Sequence, residues 1–229
     1  MRLAAFAFVL ASLAPAAGCA PAPPLYTAET APVVVDGDAG EWPAALRPVP
    51  SEGGLTLGLR TSDDALFVVV VAGDERQIRR VSSGGLRVWL DPAGGTERVL
   101  AVGYPVPLDR AVARGGTAER RRFEDRLGRI SVQRGEGPVQ TFELGNVEGV
   151  EAASEWGART LVTEVRIPFG DGPVAVERGE ALGVGIELVE AGRSGLRARR
   201  AAPPRQRGAD ADAADDGPPT ITRWLRLEL

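Results

Sequence analysis

The chain has 229 residues, of which 44% are hydrophobic and 25% charged, and its formal net charge at pH 7 is −4. This composition is sufficient for one buried core of ordinary size, and its acidic balance argues against nucleic acid as a partner. The chain has no histidine, its 27 basic residues are all arginine, and Cys19 and Met1 are its single cysteine and methionine. Most hydrolytic, haem and transition-metal sites use histidine, cysteine, methionine or lysine side chains, which this chain lacks or has only once. The composition therefore favours a binding or structural protein over an enzyme.

Residues 1–18 are predicted to be a secretory signal peptide. Arg2 precedes an apolar stretch at residues 3–13, which is shorter than the roughly 20 residues that span a bilayer as a helix. Small residues lead up to Cys19, and this order resembles the lipobox of bacterial lipoproteins, in which the cysteine is lipidated. We therefore expect a lipid anchor at Cys19; the alternative is a secreted protein with a cysteine near its cleavage site.

The position after the cysteine bears on localisation. Residue 20 is alanine rather than aspartate, which resembles lipoproteins sent to the outer membrane, facing the periplasm or the cell surface. Residues 19–30 are rich in proline and alanine and are predicted to be the lipidated cysteine followed by an extended linker. Residues 31–229 suit a single domain.

The body of the chain is predicted to consist of short β-strands. Apolar and polar residues alternate in most of these segments, and glycine and proline separate them. The segments are residues 55–60, 65–72, 86–91, 98–103, 128–133, 158–169, 182–189 and 221–229. The run at 65–72 is apolar throughout, which is typical of a strand covered on both faces. No long stretch has helical period, so we expect an all-β fold, a two-layer antiparallel β-sandwich of roughly ten strands.

Two charged segments interrupt this pattern. Residues 110–134 contain eight arginines and are interpreted as a long Arg-rich surface loop, either an exposed helical turn or a charged hairpin; contact with acidic glycans or lipid head groups is the alternative. Residues 192–219 are rich in arginine, then in aspartate and alanine, and are predicted to be a mobile loop.

Six short motifs follow one another along the chain: VDGDAGEW at 35–42, SDDALFV at 62–68, LRVWLDP at 86–92, TEVRIPF at 163–169, LGVGI at 182–186 and WLRL at 224–227. Together, in this order, they resemble the family-nine carbohydrate-binding-module-like domains, a part of the wider DOMON-like group. The resemblance implies an immunoglobulin-like or jelly-roll sandwich in a secreted bacterial protein. Haem-binding members of the group use histidine and methionine ligands, which the mature chain lacks, so we do not expect haem.

Sugar-binding members of this group clamp glycans between tryptophan rings, since the apolar face of a sugar stacks on an indole. Trp42 and Trp224 are expected in the core or at its rim. Trp89 alternates with core-type residues, and Trp156 stands beside a predicted hairpin turn. Trp89 and Trp156 are therefore the candidate ligand-binding residues.

Some members of the group also bind calcium. Asp36, Asp38 and Glu41 place three carboxylates within six residues, and Ca²⁺ takes several oxygen ligands. These residues are weak calcium candidates, and the alternative is an Asx turn. Asp63 and Asp64 are interpreted as turn formers.

The sequence thus predicts a non-catalytic, lipid-anchored binding protein of the cell envelope, with carbohydrate as its ligand. The alternative is a structural or assembly lipoprotein whose sandwich binds another envelope protein. Glu164 and Asp91 are carboxylates of the type that glycosidases use, but the sequence contains no nucleophile elbow, phosphate loop or metal signature.

Overall fold

The computed structural model describes residues 23–31, 33–49, 53–108, 119–189 and 222–229. The predicted signal peptide, Cys19 and the loop predicted at 192–219 lie outside the described residues. The elements, in chain order, are β1 (Leu25–Thr27), β2 (Glu29–Thr30), β3 (Arg47–Pro48), β4 (Leu55–Thr61), β5 (Ala65–Ala72), α1 (Glu75–Gly84), β6 (Leu86–Asp91), β7 (Leu100–Tyr104), α2 (Glu119–Glu124), β8 (Arg129–Arg134), β9 (Gln140–Glu143), a 3₁₀ helix (Leu144–Asn146), β10 (Glu151–Trp156), β11 (Leu161–Pro168), β12 (Ala181–Leu188) and β13 (Thr222–Glu228).

The strands form two sheets. Sheet I has the order β1-β13-β12-β6-β7-β8-β9, and sheet II has the order β10-β11-β5-β4-β2, with β3 also paired to β4. The all-β sandwich is therefore confirmed. The expectation of wholly antiparallel sheets is wrong at two pairs, since β1 runs parallel to β13 and β2 parallel to β4.

Both parallel pairs come from the segment that the sequence analysis assigned to the linker. β1 belongs to sheet I and β2 to sheet II, and Ala28 connects them. The Arg226 amide donates to the Pro24 carbonyl over 3.0 Å, and the Tyr26 hydroxyl donates to the Ala45 carbonyl over 2.7 Å. Strand pairing through the backbone needs no particular side chains, so an unpaired sheet edge can recruit such a segment. The predicted linker is consequently shorter than expected.

The core explains the apolar run of β5. Leu66, Val68 and Val70 join the main core between the sheets. Phe67 and Val69 point to the other face, where the loop that carries Trp42 covers them in a second apolar cluster. Trp42 is fully buried. The predictions that this strand is covered on both faces and that Trp42 is a core residue are both confirmed.

Helix α1 was not predicted. It crosses from β5 to β6 and buries Ile78 and Val81 against one end of the sandwich. Asp74 caps its start by accepting the amide N–H of Gln77 over 2.8 Å. The second helix, α2, lies inside the Arg-rich segment, which therefore contains an exposed helical turn rather than one long hairpin. None of the helices in the described ranges is long and apolar enough to cross a membrane.

Candidate functional site

Two tryptophans lie on the outer face of sheet I. Trp89 on β6 pairs in register with Gly185 on β12, which pairs in turn with Trp224 on β13. Neighbouring strands are about 4.8 Å apart, so the two tryptophan Cα atoms are roughly 10 Å apart with only a glycine between them. Their neighbours along the strands, such as Val88 and Leu225, point to the core instead. We call this surface, with Arg87, Arg98, Gln133 and Glu187 around it, the tryptophan face.

Gly185 is needed because the Trp224 ring lies directly on it. A Cβ atom at position 185 would come within 2.9–3.0 Å of three ring atoms of Trp224. Trp224 itself is half-buried. One side of its indole is therefore committed to the sheet, while the ring remains partly open to solvent.

Trp89 is more enclosed than the sequence analysis expected. Its strand phase is as predicted, but only 1% of its surface is exposed. Its indole N–H donates to Glu187 Oε2, and the guanidinium carbons of Arg98 and Arg87 lie 5.1 and 5.7 Å from the ring centroid. The prediction of an open stacking ring at Trp89 is wrong, because Arg87 on the same strand, Arg98 in the β6–β7 loop and Glu187 on β12 enclose it.

A buried charge pair lies beside Trp89. Glu187 and Arg87 face each other across β12 and β6, with Glu187 Oε2 at 3.8 Å from Arg87 Nη1. Burial lowers the pKa of Arg87, the charge of Glu187 opposes that change, and the nearby Arg98 lowers it further. The carboxylate thus holds both the indole N–H and a guanidinium in place.

A cleft of about 510 Å³ opens next to Trp89. Its lining residues are Trp89, Glu97, Arg98, Val99, Gln133, Gly135 and Glu136. Arg98 is exposed and Gln133 half-buried, so the cleft offers a guanidinium, an amide and two carboxylates within reach of the tryptophan face. This combination can form hydrogen bonds to a polar ligand while a neighbouring indole supplies apolar surface.

Trp156 lies elsewhere, at the end of β10 in sheet II. It is half-buried, and its ring meets Phe123 of α2 edge-on, with centroids 5.5 Å apart at 90°. The structure therefore does not bring Trp89 and Trp156 together. Trp224 is the partner of Trp89, and the sequence analysis had placed it in the core or rim.

The predicted calcium residues bind the backbone of their own segment. Asp36 accepts the amide N–H of Asp38 over 2.8 Å, and Asp38 accepts that of Gly40 over 2.9 Å. Glu41 accepts the Val34 amide over 2.9 Å. The Asx-turn interpretation is confirmed. Among the described residues, no group of three or more acidic side chains is arranged to hold a metal ion.

The two carboxylates considered for catalysis also serve the fold. Glu164 is buried and accepts three N–H groups, from Asp36 (3.1 Å), Gly37 (2.7 Å) and the Trp42 indole (2.5 Å). Burial raises its pKa, and these hydrogen bonds oppose the rise. Asp91, in sheet I, accepts the amides of two residues in the turn that follows it. The carboxylates thus belong to different sheets and hold separate turns.

No family model and no curated protein matches this chain. The solved structures similar to it include two of a carbohydrate binding module family 9 (CBM9) from Caldicellulosiruptor kristjanssonii. The complex with cellotriose has 13% sequence identity and a TM-score of 0.39, covering 73% of this chain and 77% of that one. The complex with glucose has 14% identity and a TM-score of 0.38, covering 74% and 80%.

Proposed function

We propose that this domain binds carbohydrate without transforming it and that the tryptophan face is its binding surface. The observation that carries the proposal is the pair of tryptophans on one outer sheet face, set on either side of Gly185 and next to a buried Arg–Glu pair. Outer faces of sheets normally carry scattered polar residues, and an ordered group of this kind is typical of a ligand surface.

Trp224 is the stacking residue in this proposal. Its ring is partly open, whereas Arg87 and Arg98 cover Trp89. The apolar face of a sugar ring would pack on Trp224. The cleft is lined by Trp89 and not by Trp224, so its polar side chains would bond to a further sugar unit roughly 10 Å along the sheet. Trp89 supports the surface from below through its hydrogen bond to Glu187.

The same proposal includes the lipid anchor. Cys19 follows a short apolar segment and small residues, and its acylation would place the domain in the cell envelope, on the outer membrane. Cys19→Ser should release the protein from the membrane fraction. A variant that stays membrane-bound in detergent-free extract would contradict the anchor.

A glycan array followed by titration tests the ligand. Trp224→Ala should weaken binding by about 1–3 kcal/mol, by analogy with stacking of bases on aromatic rings, in a protein that remains folded. Trp156→Ala is the matched control, since it removes a half-buried ring from the other sheet and should leave affinity intact. Absence of binding to any glycan, or equal losses in both variants, would rule out this surface as a sugar site.

The alternative is an assembly protein that binds another envelope protein. It is favoured by β9, the last strand of sheet I, whose outer edge has no strand partner in the described part of the chain. Such an edge can accept an extended segment of a partner. Capture of an envelope protein that is lost when Thr141 on β9 is replaced by proline, without any glycan binding, would favour this function.

A further inference from the structure

Arg226 lies beside Trp224 on the outer face of sheet I. The two residues are two positions apart on β13, so their Cα atoms are about 6.7 Å apart and their side chains leave the strand on the same side. Leu225 and Leu227, which alternate with them, pack in the core. Arg226 is exposed, and within the described ranges its side chain has no hydrogen-bond or ion-pair partner. The guanidinium is therefore available to a ligand that stacks on Trp224.

Strand β1 borders Arg226 on one side. Leu25 is its register partner, and the Arg226 amide donates to the Pro24 carbonyl over 3.0 Å. Tyr26 packs against the core, so Leu25 faces outward, where it is exposed. Neighbouring strands are about 4.8 Å apart, so an apolar side chain adjoins the base of the arginine.

The turn after β6 borders Arg226 on the other side. Gly183 on β12 is level with both Arg226 and Asp91. A Cβ atom at Gly183 would overlap the carbonyl oxygen of Gly95, so the turn lies directly over this glycine. The arginine therefore stands between β1 and this turn, with Trp224 next to it along its own strand.

The two buried carboxylates of this sheet face are bound to other groups. Glu187 holds the Arg87 guanidinium and the Trp89 indole N–H. Asp91 accepts two amide N–H groups of the turn that follows it, over 3.0 and 2.8 Å. Neither carboxylate forms an ion pair with Arg226 in the described part of the chain, so neither neutralises its charge directly.

The exposed carboxylates of the face are less favourably placed than Arg226. Glu228 is the next outward residue on β13 and lies beyond the arginine, with its Cα atom about 13 Å from that of Trp224. Glu97 and Glu136 line the cleft at Trp89 rather than the surface at Trp224. A charged group at the edge of a ring stacked on Trp224 therefore meets the positive charge of Arg226 before any of these negative charges.

We propose that the sugar unit stacked on Trp224 carries a carboxylate, as a uronic acid does, and that Arg226 binds this carboxylate. The inference rests on the proposed function and names its ligand class. The carboxylate of a uronic acid is a substituent at the edge of the ring, so the ring face can lie on the indole while the carboxylate points sideways. A guanidinium offers two parallel N–H groups that match the two oxygens of a carboxylate.

The overall charge of the chain makes this preference a local one. The formal net charge is −4, so the long-range field of the protein repels anionic glycans rather than attracting them. A preference for an acidic sugar over its neutral form must therefore come from a direct contact. Short oligosaccharides are the appropriate probes, because their total charge and the resulting repulsion are small.

Calorimetric titration with matched ligand pairs tests the proposal. The protein is the chain from position 19 onward with Cys19→Ser, which carries no lipid. The ligands are trisaccharides of galacturonic, glucuronic and mannuronic acid, each compared with its methyl ester, which has the same ring but no charge. We expect at least one acid to bind about tenfold more tightly than its ester, which is the effect of one hydrogen-bonded charge pair. The difference should narrow as salt rises.

Three variants assign the preference to Arg226. Arg226→Gln should remove the difference between acid and ester while the protein stays folded, because the side chain is exposed. Arg226→Lys keeps the charge but not the paired N–H groups, so it should retain part of the difference. Arg121→Gln is the matched control, since it makes the same charge change on an exposed arginine of α2 and should leave the difference intact.

Binding of every ester as tight as that of its acid would overturn the carboxylate contact. A preference that survives Arg226→Gln, or that Arg121→Gln removes equally, would overturn it as well. The failure of the proposed function is distinguishable. Neutral glycans that bind through Trp224 with no preference for acids would refute the carboxylate contact alone, whereas absence of binding to any glycan, neutral or acidic, would refute both.

Discussion

Trp42 donates its indole N–H to Glu164 over 2.5 Å, across 122 positions of sequence. The arrangement recurs on the other sheet, where Trp89 donates to Glu187. In both cases an arginine lies over the ring, with the guanidinium carbon of Arg60 5.1 Å from the Trp42 centroid. Each outer sheet face therefore has a buried tryptophan whose polar atom is satisfied by a glutamate, and the first pair attaches the N-terminal loop to sheet II.

Replacing Glu164 should loosen that loop. Glu164→Leu leaves three N–H donors without their acceptor, and buried donors that lose a partner cost about 1–3 kcal/mol. We expect the free energy of unfolding, measured by urea denaturation, to fall by at least this amount. Glu155→Leu, an exposed position on the neighbouring strand β10, is the control and should stay within about 0.5 kcal/mol of wild type.

The raised pKa of Glu164 gives a pH dependence of defined sign. In the unfolded chain this carboxyl ionises near its ordinary pKa of about 4.3, whereas the folded protein holds the proton to higher pH. Its contribution to stability is therefore complete below the unfolded pKa and is lost as pH rises through the folded pKa. The stability difference between wild type and Glu164→Gln should shrink as pH rises above about 4.3. A difference independent of pH would contradict a raised pKa.

Gly185→Ala should disturb the tryptophan face selectively. The added methyl would meet the Trp224 ring at 2.9–3.0 Å, and relief of such overpacking costs roughly 1–3 kcal/mol. We expect the ring to shift and glycan affinity to fall, with tryptophan fluorescence reporting the change. Gly145→Ala is the control, since a Cβ there would meet nothing within 4 Å. Unchanged affinity in a folded Gly185→Ala protein would show that the ring position is irrelevant to binding.

Arg126→Met tests the joint between the helices. The substitution keeps an unbranched side chain but removes the donors to the backbone carbonyls of Arg122, Val106 and Ser82, which join α2 to the end of α1, at a cost of about 2–4 kcal/mol. Hydrogen exchange should quicken in α1 and α2 before the strands of the core are affected. Arg121→Met, five positions earlier within α2 and exposed, should change neither quantity. Similar effects in both variants would show that Arg126 does not join the helices.

Strand periodicity was a good guide to the sheets and a poor one to the helices. β5 and β11 follow from their apolar patterns, and the burial of Trp42 was expected. α1 was missed because its ten residues have few apolar side chains, yet its signals were present: Asp74 and Gln77 stand at capping positions, and Gly85 ends the helix with a positive φ of 80°.

The site was harder to predict because it is assembled across the chain. Alternation placed Trp89 on the outer face correctly, but no local pattern shows what covers a ring. Glu187 is 98 positions away from Trp89 in the sequence. Trp224 lies near Trp89 only because β13 and β6 both pair with β12. Pairing between distant strands is set by the whole sheet, so the partners of Trp89 could be found only in three dimensions.

The crossing of residues 25–30 between the two sheets has a mechanical consequence. A force applied at Pro24 and directed along β1 loads its hydrogen bonds to β13 in shear, so they must fail together rather than one after another. β13 also carries Trp224. Tension between Pro24 and a ligand held at Trp224 would therefore load the β1–β13 pair first, and the remainder would pass through Ala28 to β2 and sheet II.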